Sequence, residues 1–120
     1  MGTIPILRIG RVLVVTVHVD LEDDVAESMQ NDLLVEIEKH GANGLVIDIS
    51  GLDTVDSYVA RMLAETQHMA KLMGTRSVLV GMRPEVAATL VRMGYGMGGV
   101  RTALNLEEGL LLLGYRLTSV

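Results

Sequence analysis

The chain has no cysteine, no phenylalanine and no tryptophan, and only two prolines. Without cysteine there can be no disulfide framework, no thiolate metal site and no cysteine nucleophile. The only aromatics are Tyr58, Tyr95 and Tyr115, so nothing is arranged to stack bases. No stretch clusters lysine and arginine, and the net charge is −5, which argues against a nucleic-acid partner. No apolar run approaches the roughly 20 residues that a membrane helix needs. Residues 1–11 lack the uninterrupted apolar segment and cleavage site of a signal peptide. A soluble, cytoplasmic protein without metal or cofactor is the expectation.

What remains is a core material of Val, Leu, Ile and Met. Hydrophobic residues make up 49% of the 120-residue chain, a globular proportion for one domain spanning 1–120. The eight methionines suit gap-filling in a core that has so few rings.

Periodicity divides the chain into alternating elements. Ile4–Ile9, interrupted by Pro5 and Arg8, reads as an edge strand. Gly10 and Arg11 turn it into Val12–Val19, a β-branched run that should pair antiparallel with it. Within 20–40, Val25, Met29, Leu33 and Ile37 recur every four residues, with Ala26 and Leu34 beside them. Asp20, Glu22, Asp23 and Asp24 suit the start of that helix, and Lys39 and His40 its end. Leu45–Ile49 is a short buried strand between Gly44 and Gly51. Tyr58–Met73 reads as a second helix closed by Gly74, and Ser77–Gly81 as another strand. Pro84 opens a third helix that ends at Gly94. A last short strand is expected around Val100. Asn105 and Glu108 have capping-box spacing, opening a final helix to about Leu113. The order β-β-α-β-α-β-α-β-α predicts an α/β fold with a mainly parallel sheet and an antiparallel N-terminal edge strand.

In such sheets function gathers in the loops beyond the carboxyl ends of the strands. One loop stands out: Asp48-Ile49-Ser50-Gly51-Leu52-Asp53-Thr54-Val55-Asp56-Ser57. It joins the central strand to the second helix and is rich in carboxylates and hydroxyls. The loop after Val80 (Gly81-Met82-Arg83-Pro84) looks poor in polar groups. Ser57 lies at the helix start, where it or Asp56 can cap the free amides. The same amides and the helix dipole are hospitable to phosphate, so Ser57 is also a candidate phosphoacceptor. Asp53 and Asp56 would oppose an added dianion. Asp48 can accept loop amides, Asp56 can cap or meet a partner, and Thr54 is a second hydroxyl within reach of modification.

The run Asp53-Thr54-Val55-Asp56-Ser57 follows Leu-Val-Ile-Asp-Ile and precedes an aliphatic helix ending Met69-Ala70-Lys71-Leu72-Met73-Gly74. With Ile4-Pro5-Ile6-Leu7, His40-Gly41-Ala42-Asn43-Gly44 and Leu104-Asn105-Leu106-Glu107-Glu108-Gly109-Leu110, it resembles the STAS (anti-anti-sigma-factor) family over nearly the whole chain. The likeness is strongest to the small scaffold subunits of the bacterial stressosome. The resemblance implies a single STAS domain without catalytic activity. It implies self-association, assembly with sensor-bearing STAS paralogues (RsbR-like), and capture of a switch serine/threonine kinase (RsbT-like). That kinase would phosphorylate Ser57 and leave, and a separate phosphatase would reset the switch. Asp53, Thr54, Asp56, Ser57 and Tyr58 are the expected partner-binding residues. Simpler antagonists of the family commonly carry a small hydroxyl residue and glycine after the Asp-Ser pair. Here Tyr58 and Val59 follow, which favours a scaffold over a free antagonist. A simple anti-anti-sigma factor and a STAS-like module for a small ligand are the two alternatives.

Other signals carry less. Gly94, Gly96 and Gly99 match G-x-G-x-x-G, but the dinucleotide fingerprint needs a strand before it, and here a helix precedes. His18, His40 and His68 share no metal-ligand spacing. No G-x-S-x-G elbow surrounds Ser57. Leu110–Leu113 is too long for one buried face, so part of it should be exposed as a contact surface or covered by the flanking chain.

Overall fold

The protein is described by a computed structural model that covers residues 4–18, 23–94 and 101–115. Nine elements follow in order: β1 (Ile6–Ile9), β2 (Val12–His18), α1 (Asp23–His40), β3 (Gly44–Gly51), α2 (Ser57–Leu72), β4 (Arg76–Val80), α3 (Pro84–Arg92), β5 (Thr102–Ala103) and α4 (Leu106–Leu112). The strands form one sheet in the order β1-β2-β3-β4-β5. β1 and β2 are antiparallel, with Ile6 opposite Val15, and every other pair is parallel. This is the mixed α/β sheet expected from the alternation of strand and helix patterns.

The two-residue period of the strands sorts their side chains onto two faces. Leu13, Val15, Val17, Leu45, Ile47, Ile49 and Leu79 join one core with the buried sides of α1, α2 and α3. Val12, Val14, Val46, Val78 and Val80 point the other way and meet Leu110 of α4 and Leu113, the residue that caps its end. The α1 stripe buries Ala26, Met29, Leu33 and Ile37 as its spacing requires. Between α1 and α2 the contact is partly polar. Gln30 Nε2 donates to Thr66 Oγ1 (3.2 Å), which donates to the Met62 carbonyl (2.7 Å).

Among the described residues, the helix that covers the second face is the short α4. Asn105 caps it by accepting from the Glu108 amide at 2.9 Å. Gly109 lets it lie close to the sheet, because a Cβ there would come within 2.8 Å of Val80 Cγ1. The leucine run divides as expected: Leu110 and Leu113 are buried, whereas Leu111 and Leu112 are about half exposed.

Several boundaries differ from the sequence expectation. Ile4 and Pro5 precede the first strand, and Gly81 lies just beyond β4. β3 runs on through Ser50 to Gly51, because β2 continues to pair with it, His18 opposite Gly51, beyond an irregularity after Thr16. The helix acids Asp20 and Glu22, Val19, Gly96, Gly99 and Val100 lie outside the described residues, and the last short strand is found just beyond Val100, at Thr102–Ala103. Among the described residues no helix is long and apolar enough to cross a membrane.

Ile47 sits fully buried on the central strand. Ile47→Ala is expected to cost about 2–5 kcal/mol, since large-to-small changes leave a cavity in a close-packed core. Leu72→Ala, at a residue that is 76% exposed, is expected to change stability by no more than about 0.5 kcal/mol. Urea unfolding of the two variants, with the slope unchanged, checks both values.

Candidate functional site

The segment from Asp48 to Ser57 alternates buried anchors with exposed polar groups. Leu52 is 2% exposed and Val55 7%, and both belong to the core shared with α1 and α2. Asp53, Thr54, Asp56 and Ser57 face solvent. Leu52 N–H donates to the Ile49 carbonyl (3.0 Å), which turns the chain as it leaves the strand. Asp48 Oδ1 accepts from the Ser50 amide (2.9 Å), the structural role expected of it.

Asp56, not Ser57, caps α2. Its backbone is extended, with φ −92° and ψ 176°, and its Oδ1 accepts from the Val59 amide at 2.8 Å. Asp takes the cap because the extended residue just before the first helical turn can fold its carboxylate back onto the free amides. Ser57 is therefore the first helical residue. Its side chain is exposed, and no hydrogen bond of its hydroxyl is found among the described residues. The expectation that Ser57 itself might cap gives way to a division of labour between neighbours.

Tyr58 is half-buried and ties two helix starts together: its hydroxyl donates to the Asp23 carbonyl at 3.1 Å. The phenol pKa is raised by desolvation first, then by the negative charges of Asp23 and Glu27. Arg61, one turn along α2 from Ser57, stands over the Tyr58 ring at 5.6 Å from its centroid. All five expected partner residues, Asp53, Thr54, Asp56, Ser57 and Tyr58, thus share one stretch of the strand-end surface.

The loop between β4 and α3 contributes more than its sequence promised. Gly81 has φ +74°, and a Cβ there would meet Ser50 Cβ at 2.8 Å and Asp48 Oδ1 at 3.2 Å. Glycine is required both for that backbone conformation and for the close approach. Arg83 Nε donates to the Ser50 carbonyl (3.2 Å) and so braces the site loop from its neighbour. Adjacent parallel strands always bring such loops together, and that was the available signal.

The histidines stand apart from one another. His40 lies 3.2 Å from Glu36 on α1, and His68 is exposed on α2. His18 ends β2 opposite Gly51, and no bond links it to Ser57 among the described residues. No group of three or more His, Asp or Glu side chains suited to a metal occurs among the described residues. A shallow groove between β1 and α1, lined by Ile4, Ile6, Asp32, Val35 and Glu36, includes none of the loop residues.

Asp56→Ala should destabilise the fold by about 1 kcal/mol, the usual cost of losing a cap. Ser57→Ala should stay within about 0.5 kcal/mol, as for an exposed side chain with no partner. Thermal unfolding of both variants against the parent chain reads the difference.

Comparison with known proteins agrees with this geometry. The STAS domain profile matches residues 3–108. A serine-to-glutamate variant of RsbS from Moorella thermoacetica superposes with a TM-score of 0.84 at 40% identity, over 92% of this chain and 94% of that one. A chain from a structure describing the molecular architecture of the stressosome, a signal integration and transduction hub, gives 0.83 at 43% identity, over 92% and 96%. The RsbT co-antagonist protein RsbRA of Bacillus subtilis is 31% identical over 90 residues, which are 75% of this chain and 33% of RsbRA. The chain thus spans about a third of the length of the curated RsbR relatives it matches. With the fold, the Asp-Ser pair at the start of α2 and these likenesses in hand, the chain is assigned to the STAS domain family.

Proposed function

We propose that this chain is a non-catalytic scaffold of a stressosome-type assembly. Unmodified, it holds a switch serine/threonine kinase (RsbT-like) and releases it once that kinase has phosphorylated Ser57. In the transfer, Ser57 Oγ forms a bond to the γ-phosphorus of ATP, the bond to ADP breaks, and the serine proton leaves. Sensor-bearing RsbR-like paralogues and further copies of this chain complete the particle, and a phosphatase restores the hydroxyl. The protein works in the cytoplasm.

One observation carries the proposal most directly: Ser57 is exposed at the first position of α2, Asp56 does the capping, and no hydrogen bond engages the Ser57 hydroxyl among the described residues. A kinase can therefore take this hydroxyl without dismantling the helix start. The added phosphate brings roughly −1.5 to −2 charges to a surface already carrying Asp53 and Asp56. The face changes its electrostatics while Leu52 and Val55 keep its shape. Supporting this, solved relatives at 40–43% identity come from RsbS and from a stressosome, and a curated relative carries the name of an RsbT co-antagonist.

Intact-mass measurement after incubation with kinase and ATP should show one added phosphate on the parent chain and none on Ser57→Ala. Ser57→Asp should weaken kinase binding by about tenfold or more, on the order of 1.4 kcal/mol. Size-exclusion chromatography with a sensor-bearing paralogue should yield very large particles. Stoichiometric phosphate on the alanine variant would refute the site, and failure to form large particles would favour a simple anti-anti-sigma factor.

A further inference from the structure

We infer that Arg61 captures the phosphate of phosphorylated Ser57 within the same helix, so that modification both adds a dianion and withdraws a cation from the docking face. The inference rests on Ser57 being the phosphoacceptor and adds how the modified state is held.

Ser57 and Arg61 stand at i and i+4 on α2. Side chains so spaced lie on one helix face with about 5–6 Å between their Cβ atoms, and an arginine covers that span with ease. In the unmodified protein Arg61 is poorly engaged. Its side chain is 58% exposed, its guanidinium rests over the Tyr58 ring at 5.6 Å, and its Nε is 3.9 Å from Glu65 Oε2. The Arg61–Glu65 pair also runs in the weaker direction, with the cation nearer the helix start. An anion at 57 with a cation at 61 has the favourable order, because the helix dipole welcomes negative charge at the start. Phosphate offers two or three acceptor oxygens to the guanidinium fork, which makes a stronger bond than a single distant carboxylate.

Arg83 of the neighbouring loop turns its Nε to the Ser50 carbonyl. Among the described residues, the carboxylates near this end of α2 are Asp53 and Asp56 from the loop, Asp23 and Glu27 from α1, and Glu65, and the titratable His18 ends β2 opposite Gly51. The carboxylates would push the phosphate's second pKa up. Arg61, one turn from Ser57 on the same helix, opposes them.

The test uses the full chain with phosphoserine installed at position 57 during synthesis, so that no kinase is needed. Phosphorus NMR then follows the phosphoserine through its second ionisation. A cation beside the dianion favours the charged form. Arg61→Gln should therefore raise that pKa by about 0.5 unit at low salt, an amount reduced by screening from the shift of a buried pair. Arg61→Lys should restore most of the difference, and high salt should abolish it. The unmodified variants should unfold at the parent temperature, which separates the effect from a structural one. An unchanged phosphoserine pKa in Arg61→Gln would overturn the inference and leave the kinase proposal standing. A kinase that ignores Ser57 would overturn the kinase proposal, while the titration still decides the role of Arg61.

Discussion

Leu52 and Val55 are the fixed points from which the site takes its form. Each places an aliphatic side chain in the main core, and burying one is worth about 1.5–3 kcal/mol relative to leaving it in water. That energy commits the backbone between them to a single path. Asp53, Thr54, Asp56 and Ser57 must then face outward, because the anchors have taken the inward positions. The polar surface is in this sense a by-product of apolar packing. A change of charge on these outward groups would leave its shape in place, which is what the proposed function requires of it.

The cap falls to Asp56 and not to Ser57, so under the proposed function stability and signalling rest on adjacent residues. Asp56 satisfies the amide of Val59 at the start of α2, and Ser57 has no such duty. A protein that used one serine for both tasks would lose a helix cap at every modification. Gly81 and Arg83 complete the separation from the neighbouring loop. They hold the exit of β3 from the side of the loop between β4 and α3.

Much of this could be read from the residues. Periodicity and capping signals located the helices and the first four strands, the last strand falls at Thr102–Ala103 instead of around Val100, and the Asp-Ser pair after an aliphatic strand located the loop. Boundaries failed where pairing in space overrode local pattern: β3 continues through Ser50 and Gly51 only because β2 lies beside it. The identity of the cap was left open, since Asp56 and Ser57 are both good capping residues and only backbone geometry chooses between them. Arg83 escaped notice because its importance lies in a backbone carbonyl more than thirty residues away in sequence. Nothing local in Gly81-Met82-Arg83-Pro84 points to such a partner.

The Tyr58 hydroxyl meets the main-chain oxygen of residue 23, not its carboxylate. Any amino acid at that position offers the same oxygen. Homologous chains are therefore free to exchange the acidic side chain there for a neutral or basic one and keep the two helix starts in register. Charge at the mouth of α1 can thus change without disturbing the geometry that presents Ser57.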